Sequence, residues 1–313
     1  MSAVATKPRL GFLGVGWIGR SRLEAIERSG VAEVAAIADP ALDESVGSLA
    51  ELLEQELDGV VIATPSALHA EQAAAALDRG FAVFCQKPLG RNAAETARVV
   101  GAAREADRLL GVDLSYRSTA AARAVRELVR SGALGTVFAA DLTFHNAYGP
   151  DKPWFYEPEL SGGGCLVDLG IHLVDLALWT LGWPRVEAAR AWVRGEPVED
   201  YAVAELELAS GRHVRIACSW NLHAGADAVI EAAFRGSEGA AALRNVDGSF
   251  YDFVAERYVG RERQLLSQPP DEWFGRAAVE WAERLAAGSR YDPEIEHVVE
   301  VAEVLDELYR SAR

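Results

Sequence analysis

Cysteine is scarce in this chain of 313 residues: Cys85, Cys165 and Cys218 are few, odd in number and far apart. That spacing offers neither a disulfide framework nor a metal knuckle, so reduced structural thiols and no bound metal are expected. Basic residues are also in short supply, 31 Lys and Arg against 47 Asp and Glu for a net charge of −16. No lysine or arginine run offsets it. Such a surface repels phosphate backbones and anionic lipid, so neither nucleic acid nor membrane is expected as a partner. The start, MSAVATKPRL, lacks the basic residues and apolar core of a signal peptide. No uncharged stretch reaches the ~18 residues of a membrane span. A cytoplasmic location is expected. Internal repeats, low-complexity tracts and long linkers are missing too. What remains is a chain with half its residues hydrophobic and the length for two domains, each with its own core.

The first informative stretch is RLGFLGV, residues 9–15, a short apolar run that leads into Gly14, Val15, Gly16, Trp17, Ile18 and Gly19. This G-x-G-x-x-G follows a predicted strand and opens a helix predicted over 18–28, where backbone N–H groups can face a pyrophosphate. A second strand, predicted over 34–38, ends at Asp39, 20 residues past Gly19. A Rossmann fold places there the carboxylate that binds the adenosine ribose. A carboxylate repels a 2′-phosphate, and Pro40 and Ala41 bring no positive charge, so NAD is favoured over NADP. The nearest cations, Arg20 and Arg22, sit in the first helix.

Strands and helices then alternate: helix 46–54, strand 59–63, helix 68–79, strand 82–85, helix 93–106, strand 109–114. Alternation implies right-handed crossovers and a parallel sheet, an α/β domain over residues 1–118. Ligands of open sheets bind at the carboxyl ends of the strands. Two loops there supply candidates: Thr64, Pro65 and His69 in one, Lys87 within QKPLG in the other. His69 either touches the cofactor or faces solvent. Lys87 follows a buried-looking strand, so it either polarises a substrate oxygen or is a lysine on an exposed turn. Arg117, in the SYRS segment that closes the domain, joins the substrate candidates.

Beyond a helix over 123–130 the period changes. Strands are predicted over 137–144, 185–193, 201–208, 213–220 and 228–234, and their Gly turns indicate a large, mostly antiparallel open sheet. Helices over 271–287 and 293–311 complete an α+β domain, residues 119–313. A sheet followed by so few helices leaves one face uncovered, and a homodimer or a tetramer of dimers is expected to bury it.

The chemistry concentrates in GGGCLVDLGIHLVDLALW, residues 162–179. It reads as a glycine hinge that lets a ligand approach the backbone, followed by an apolar helix. Asp168, His172 and Asp175 break the apolar pattern at i, i+4 and i+7, on one helical face. Charged groups in such surroundings lose hydration unless paired. The stripe is therefore either a catalytic acid/base site or a satisfied contact with a neighbour.

Taken together, GFLGVGWIG, the lysine-proline loop and GGGCLVDLGIHLVDLALW resemble the Gfo/Idh/MocA oxidoreductases, a family that includes glucose-fructose oxidoreductase and inositol 2-dehydrogenase. The resemblance runs from Leu10 to the final helices. It implies NAD(P)-dependent hydride transfer at a secondary carbinol of a sugar or cyclitol, with the family's lysine at Lys87, its aspartate at Asp168 and its histidine at His172. On that reading His172 takes the hydroxyl proton, Lys87 holds the same oxygen, and Asp168 orients the substrate or the imidazole. The sequence departs from the family at Gln86, where glutamate is usual. The loop over 145–156 is where such proteins contact substrate. His145, Tyr148, Lys152 and Trp154 are candidates for sugar contacts, though Trp154 and Phe155 equally suit packing of the loop itself. Two other readings share this pattern: a dinucleotide-binding sensor without turnover, and transient oxidation within a net hydrolysis or elimination.

Overall fold

A computed structural model describes residues 7–42 and 46–312. In chain order the first elements are β1 (Arg9–Leu13), α1 (Trp17–Ser29), β2 (Glu33–Ala38), α2 (Leu49–Leu52), β3 (Gly59–Ile62), α3 (Ser66–Asp78), β4 (Ala82–Cys85), α4 (Ala93–Ala106) and β5 (Leu110–Val112). Then come α5 (Ala120–Arg130), β6 (Val137–Asn146), α6 (Pro158–Ser161), α7 (Ile171–Leu181), β7 (Val186–Arg194), β8 (Tyr201–Leu208), β9 (Arg212–Ser219) and β10 (Ala228–Gly236). The chain closes with β11 (Ala240–Asn245), β12 (Phe253–Val259), β13 (Glu262–Ser267), α8 (Arg276–Ala286) and α9 (His297–Ser311).

Two compact units result; the chain first passes between them at 115/116, close to the division expected at residue 118, but a later segment assigned to the second domain returns to the first. The first takes residues up to Ser115 together with Phe274–Val299, and the second takes Tyr116–Trp273 and residues 300–312. The physical reason is α8. Its apolar face belongs to the core of the first unit, where Ala278, Trp281 and Ala282 pack with Leu10, Phe12, Val61 and Phe84. The Trp281 ring lies 5.7 Å from that of Phe84. Periodicity identified a helix but not the core it joins.

The first unit is a parallel sheet in the order β2-β1-β3-β4-β5. Its strand order reverses between β1 and β3, so the loops after those strands diverge at their carboxyl ends and leave a crevice. Strands β3 and β4 are buried at every position, as expected for a sheet covered on both faces. The second unit is an eight-stranded sheet, β13-β12-β11-β10-β6-β9-β8-β7. Its only parallel pair among the described residues is β6 with β9. Strands β11 to β13 were not anticipated: AAALRN carries no β-branched residue, and ERQLLS is an edge strand without alternation.

The helical run Pro158–Leu181 is long and apolar enough to span a bilayer by composition, yet 89% of its window is buried within the protein. It is a core helix.

Candidate active site

Three glycines of the first loop are required for three different reasons. Gly14 turns the chain with φ +83°, and a Cβ there would lie 2.8 Å from the Ala63 carbonyl. At Gly19 a Cβ would meet the Gly14 carbonyl at 2.2 Å, so this glycine lets α1 pack against its own loop. Gly16 has a negative φ of −58°, and a Cβ on it would find nothing within 4 Å. Neither conformation nor packing asks for glycine at that position. The open space at the amino end of a 13-residue helix with no acidic residue in its first turn fits a pyrophosphate.

Asp39 follows β2 as expected. Its carboxylate accepts from Val15 N at 2.6 Å and from Ala41 N at 2.8 Å, which ties the end of β2 to the glycine loop. Arg22 is removed as a partner for a 2′-phosphate: it is 1% exposed, its Nε donates to Asp113 at 2.6 Å, and its guanidinium lies 4.3 Å from the Phe274 ring centre. Arg20 is exposed.

Lys87 is half-buried and Pro65 exposed at their loops, and Thr64 uses its hydroxyl to donate to Gln72 at 2.6 Å. His69 corrects an expectation. It is 1% exposed, with Nδ1 2.7 Å from the Pro88 carbonyl and Nε2 2.7 Å from the Thr64 carbonyl. Carbonyls only accept, so a neutral ring donates one of these bonds and a protonated ring both. Burial, against those two carbonyls and with the Lys87 ammonium, pushes its pKa below the ordinary 6.5. His69 thus fastens the two loops to each other, with both ring nitrogens on main-chain carbonyls.

In the second unit the glycine triplet also differs from expectation. A Cβ on Gly163 would lie 2.1 Å from the Tyr309 hydroxyl, and one on Gly164 2.0 Å from the Glu199 carbonyl. These glycines admit protein atoms, not a ligand. The Glu199 carboxylate, 6% exposed, accepts from Gly164 N at 3.0 Å, Leu166 N at 2.9 Å and the Tyr309 hydroxyl at 2.7 Å. This carboxyl group is thereby bonded to N–H groups where the turn that leads into α7 begins, the end of a helix at which its dipole favours negative charge.

Residues Leu166–Gly170 form a π-helical turn before α7. A π turn takes more residues than 3.6, so the i, i+4, i+7 spacing does not keep one face, and each polar residue goes to a different neighbour. Asp168 accepts from Trp220 Nε1 at 3.1 Å. His172, 6% exposed, packs edge-on to Tyr116 with ring centres 4.9 Å apart, and its ring centre is 6.4 Å from that of Phe144. Asp175, 1% exposed, receives both Nε, at 2.7 Å, and Nη2 of Arg117. That buried bidentate pair withdraws Arg117 from the substrate candidates and Asp175 from the catalytic stripe, because a carboxylate so enclosed is costly without its cation.

His145 is corrected as well. Strand β6 runs on to Asn146, and strict alternation sends Phe144 toward His172 and His145 to the opposite face. There it meets Ser219 Oγ at 2.7 Å and stacks 6.0 Å from Tyr201. The loop beyond β6 carries Tyr148, 53% exposed, and Lys152, paired with Asp151 at 3.4 Å. Trp154 stacks on Phe155 at 3.9 Å. Phe155 and Tyr156 both set their rings edge-on to Trp220, which carries the loop to the indole that holds Asp168.

Sequence reasoning missed Trp220, Tyr116, Glu199 and Tyr309. Tyr116 is an aromatic hub, facing Phe144, His172, Phe253 and Trp273 at 4.9–5.9 Å, and burial, aided by the Asp168 charge, pushes its hydroxyl pKa up.

The first unit defines a dinucleotide-binding domain in the Rossmann manner, and the mixed-sheet unit buries an imidazole against aromatic rings. The chain belongs to the Gfo/Idh/MocA family: residues 8–114 match its oxidoreductase NAD-binding Rossmann domain and residues 122–242 its C-terminal domain. The 1,5-anhydro-D-fructose reductase of Ensifer adhaerens is 34% identical over 177 residues, 54% of this chain and 53% of that protein. The D-glucoside 3-dehydrogenase of Escherichia coli K12 is 32% identical over 143 residues, 45% and 41% of the two chains. The chain thus spans about half the length of these curated relatives. The crystal structure of GenD2 from gentamicin A biosynthesis in complex with NAD aligns with a TM-score of 0.83 at 25% identity, over 99% of this chain and 95% of that one.

Proposed function

We propose that this protein transfers a hydride between a nicotinamide cofactor and a secondary alcohol or ketone of a sugar, sugar derivative or cyclitol. One observation carries the reading. Between Gly163 and Leu178 every residue is buried except Asp168, so a single carboxylate opens an otherwise sealed helix to solvent, four residues from a buried imidazole. The names of the two curated relatives, a reductase of an anhydro-sugar and a dehydrogenase of a glucoside, support the substrate class. NAD, bound at the glycine loop, supplies the hydride acceptor. Gly14, Gly16, Trp17, Ile18, Gly19 and Asp39 would hold it, together with Thr64 and Pro65.

In the oxidative direction His172 accepts the hydroxyl proton, as an imidazole is suited to do near neutral pH. Asp168, fixed by Trp220, orients the substrate or the imidazole. Lys87 stabilises the charge that develops on the reacting oxygen. Tyr148 and Trp154 offer faces to a sugar ring. Purified protein assayed against sugars, cyclitols and their phosphates, with NAD and with NADP, tests the reading through reduced-cofactor absorbance. No net reduction with any of them would remove it.

NAD is the favoured dinucleotide because a carboxylate at the end of β2 would repel a 2′-phosphate, and Arg22 is spent on Asp113. Dissociation constants are expected to be lower for NAD than for NADP, and Asp39→Ala to narrow the gap. A wild type that prefers NADP, or a variant with the same preference, would refute this.

A homodimer, or a tetramer built from dimers, is the expected assembly. Helices α5 and α7 pack on one face of the large sheet. On the other, Glu205 pairs in register with Arg215, and Asp141 is bonded by Arg215 and Arg235, with Trp192 45% exposed near the edge. The Asp141 pairs with Arg215 and Arg235 offer compensated charge to whatever covers that face. Light scattering at micromolar concentration that returns a monomer mass would count against it.

A further inference from the structure

We infer that Asp113 is a positioning residue for the Lys87 loop, acting through Gln86. Asp113 lies one residue past β5, and its main chain continues the sheet by donating N–H to the Cys85 carbonyl at 2.9 Å. Its Oδ2 takes two donors, Arg22 Nε at 2.6 Å and the Gln86 amide. Both side chains of the Arg22–Asp113 pair are sealed from solvent, at 1% and 0% exposure. Gln86 itself donates its main-chain N–H to the Ile62 carbonyl at 2.9 Å. Main chain and side chain are therefore both fixed in the residue immediately before Lys87. On the far side the Pro88 carbonyl rests against His69 at 2.7 Å. Lys87 stands between two anchored residues.

Stability alone does not account for this pair. A buried ion pair contributes little net stability over an apolar replacement, because each charge loses its hydration. Here one carboxylate oxygen, Oδ1, is buried without a hydrogen-bond partner, which raises the cost further. What the pair does supply is a fixed acceptor for the amide of Gln86. The charge reaches the strand end that carries the loop: after burial, Asp113 is the second cause that pushes the Cys85 thiol pKa up. A carboxylate on the sheet thus serves a loop that has none of its own at position 86. Gln86 is then the correct partner, since a glutamate at this half-buried position would set a second carboxylate against the sealed Asp113.

The inference rests on reading Lys87 as a catalytic group, and its test uses readouts that separate the two. Four full-length proteins are compared: wild type, Gln86→Leu, Asp113→Asn and the double variant Gln86→Glu/Asp113→Asn. Gln86→Leu leaves the Arg22–Asp113 pair intact and cuts only the link to the loop. It is expected to lower kcat about tenfold or more, the scale of a displaced catalytic group, with KM and the NADH dissociation constant changed at most about threefold. Lys87 should become several-fold more reactive toward an amine-directed acylating reagent, read by peptide mass spectrometry. The double variant restores one acid and one amide in exchanged positions and should recover at least about half of the logarithmic loss seen in Asp113→Asn. Lys87 labelling and kcat within about twofold of wild type in Gln86→Leu would overturn the inference. So would a double variant no better than Asp113→Asn. If wild type turns over no sugar, the functional reading fails while the labelling still decides whether Asp113 and Gln86 hold the loop.

Discussion

Replacing His172 with asparagine is expected to lower turnover by roughly two to four powers of ten, the usual scale for losing a general base. The fold should survive. His172 lies against Tyr116 and Phe144, and a smaller polar side chain there costs about 1–3 kcal/mol, as for most single substitutions. NADH affinity should hardly change, because the groups assigned to the dinucleotide all come from the first unit. The pH–rate profile is the sharper measurement. A proton acceptor must be unprotonated, so the oxidative rate is expected to fall on the acid side, and if the proposed Lys87, Asp168 and His172 act together the midpoint belongs to the group and not to one residue. In His172→Asn that limb should vanish or move. If it stays while Lys87→Ala abolishes it, lysine is the base and the two roles are exchanged.

The second large effect is expected at Gly16. Nothing lies within 4 Å of a Cβ placed there, so Gly16→Val puts its side chain into space that only a ligand would claim. NADH should bind about a hundredfold more weakly, a loss of roughly 2.7 kcal/mol, and the rise in Tm that saturating NADH gives wild type should disappear. Without cofactor the two proteins should melt within a few degrees of each other, since the only cost is a poorer helix cap. Gly14→Val provides the contrast: its φ of +83° and the Ala63 carbonyl 2.8 Å away make the substitution destabilising with or without nucleotide. Unchanged NADH binding by Gly16→Val would mean that the pyrophosphate does not lie at this helix.

The dinucleotide domain was legible because each of its signals is local. A strand, a glycine loop, a helix start and an acid at a set distance can be read along the chain, and each arises from backbone geometry. The pairings were not legible. Nothing near Arg22 in sequence announces Asp113, and nothing near Arg117 announces Asp175 58 residues away. A polar side chain that looks available in sequence is available only if no distant partner has taken it. His145 was lost to a boundary: a strand predicted to stop at 144 hides the alternation that sends the next residue to the other face. The π turn was invisible, because one extra residue per turn leaves the apolar composition unchanged. Nothing in the sequence singles out Trp220 or Tyr116, and only the bond from the Trp220 indole to Asp168 and the ring contacts of Tyr116 show their place.

The two glycine-rich loops of this protein record different things. Gly163 and Gly164 are fixed by Tyr309 and by the backbone of Glu199, so a descendant of this chain would need both to keep α7 seated whether or not it turned over a substrate. Gly16 answers to no protein atom and would be free to drift once nucleotide was no longer bound. In a duplicated copy, a side chain at position 16 would announce the loss of the dinucleotide, whereas an intact GGG would say nothing about whether the copy still turns over a substrate.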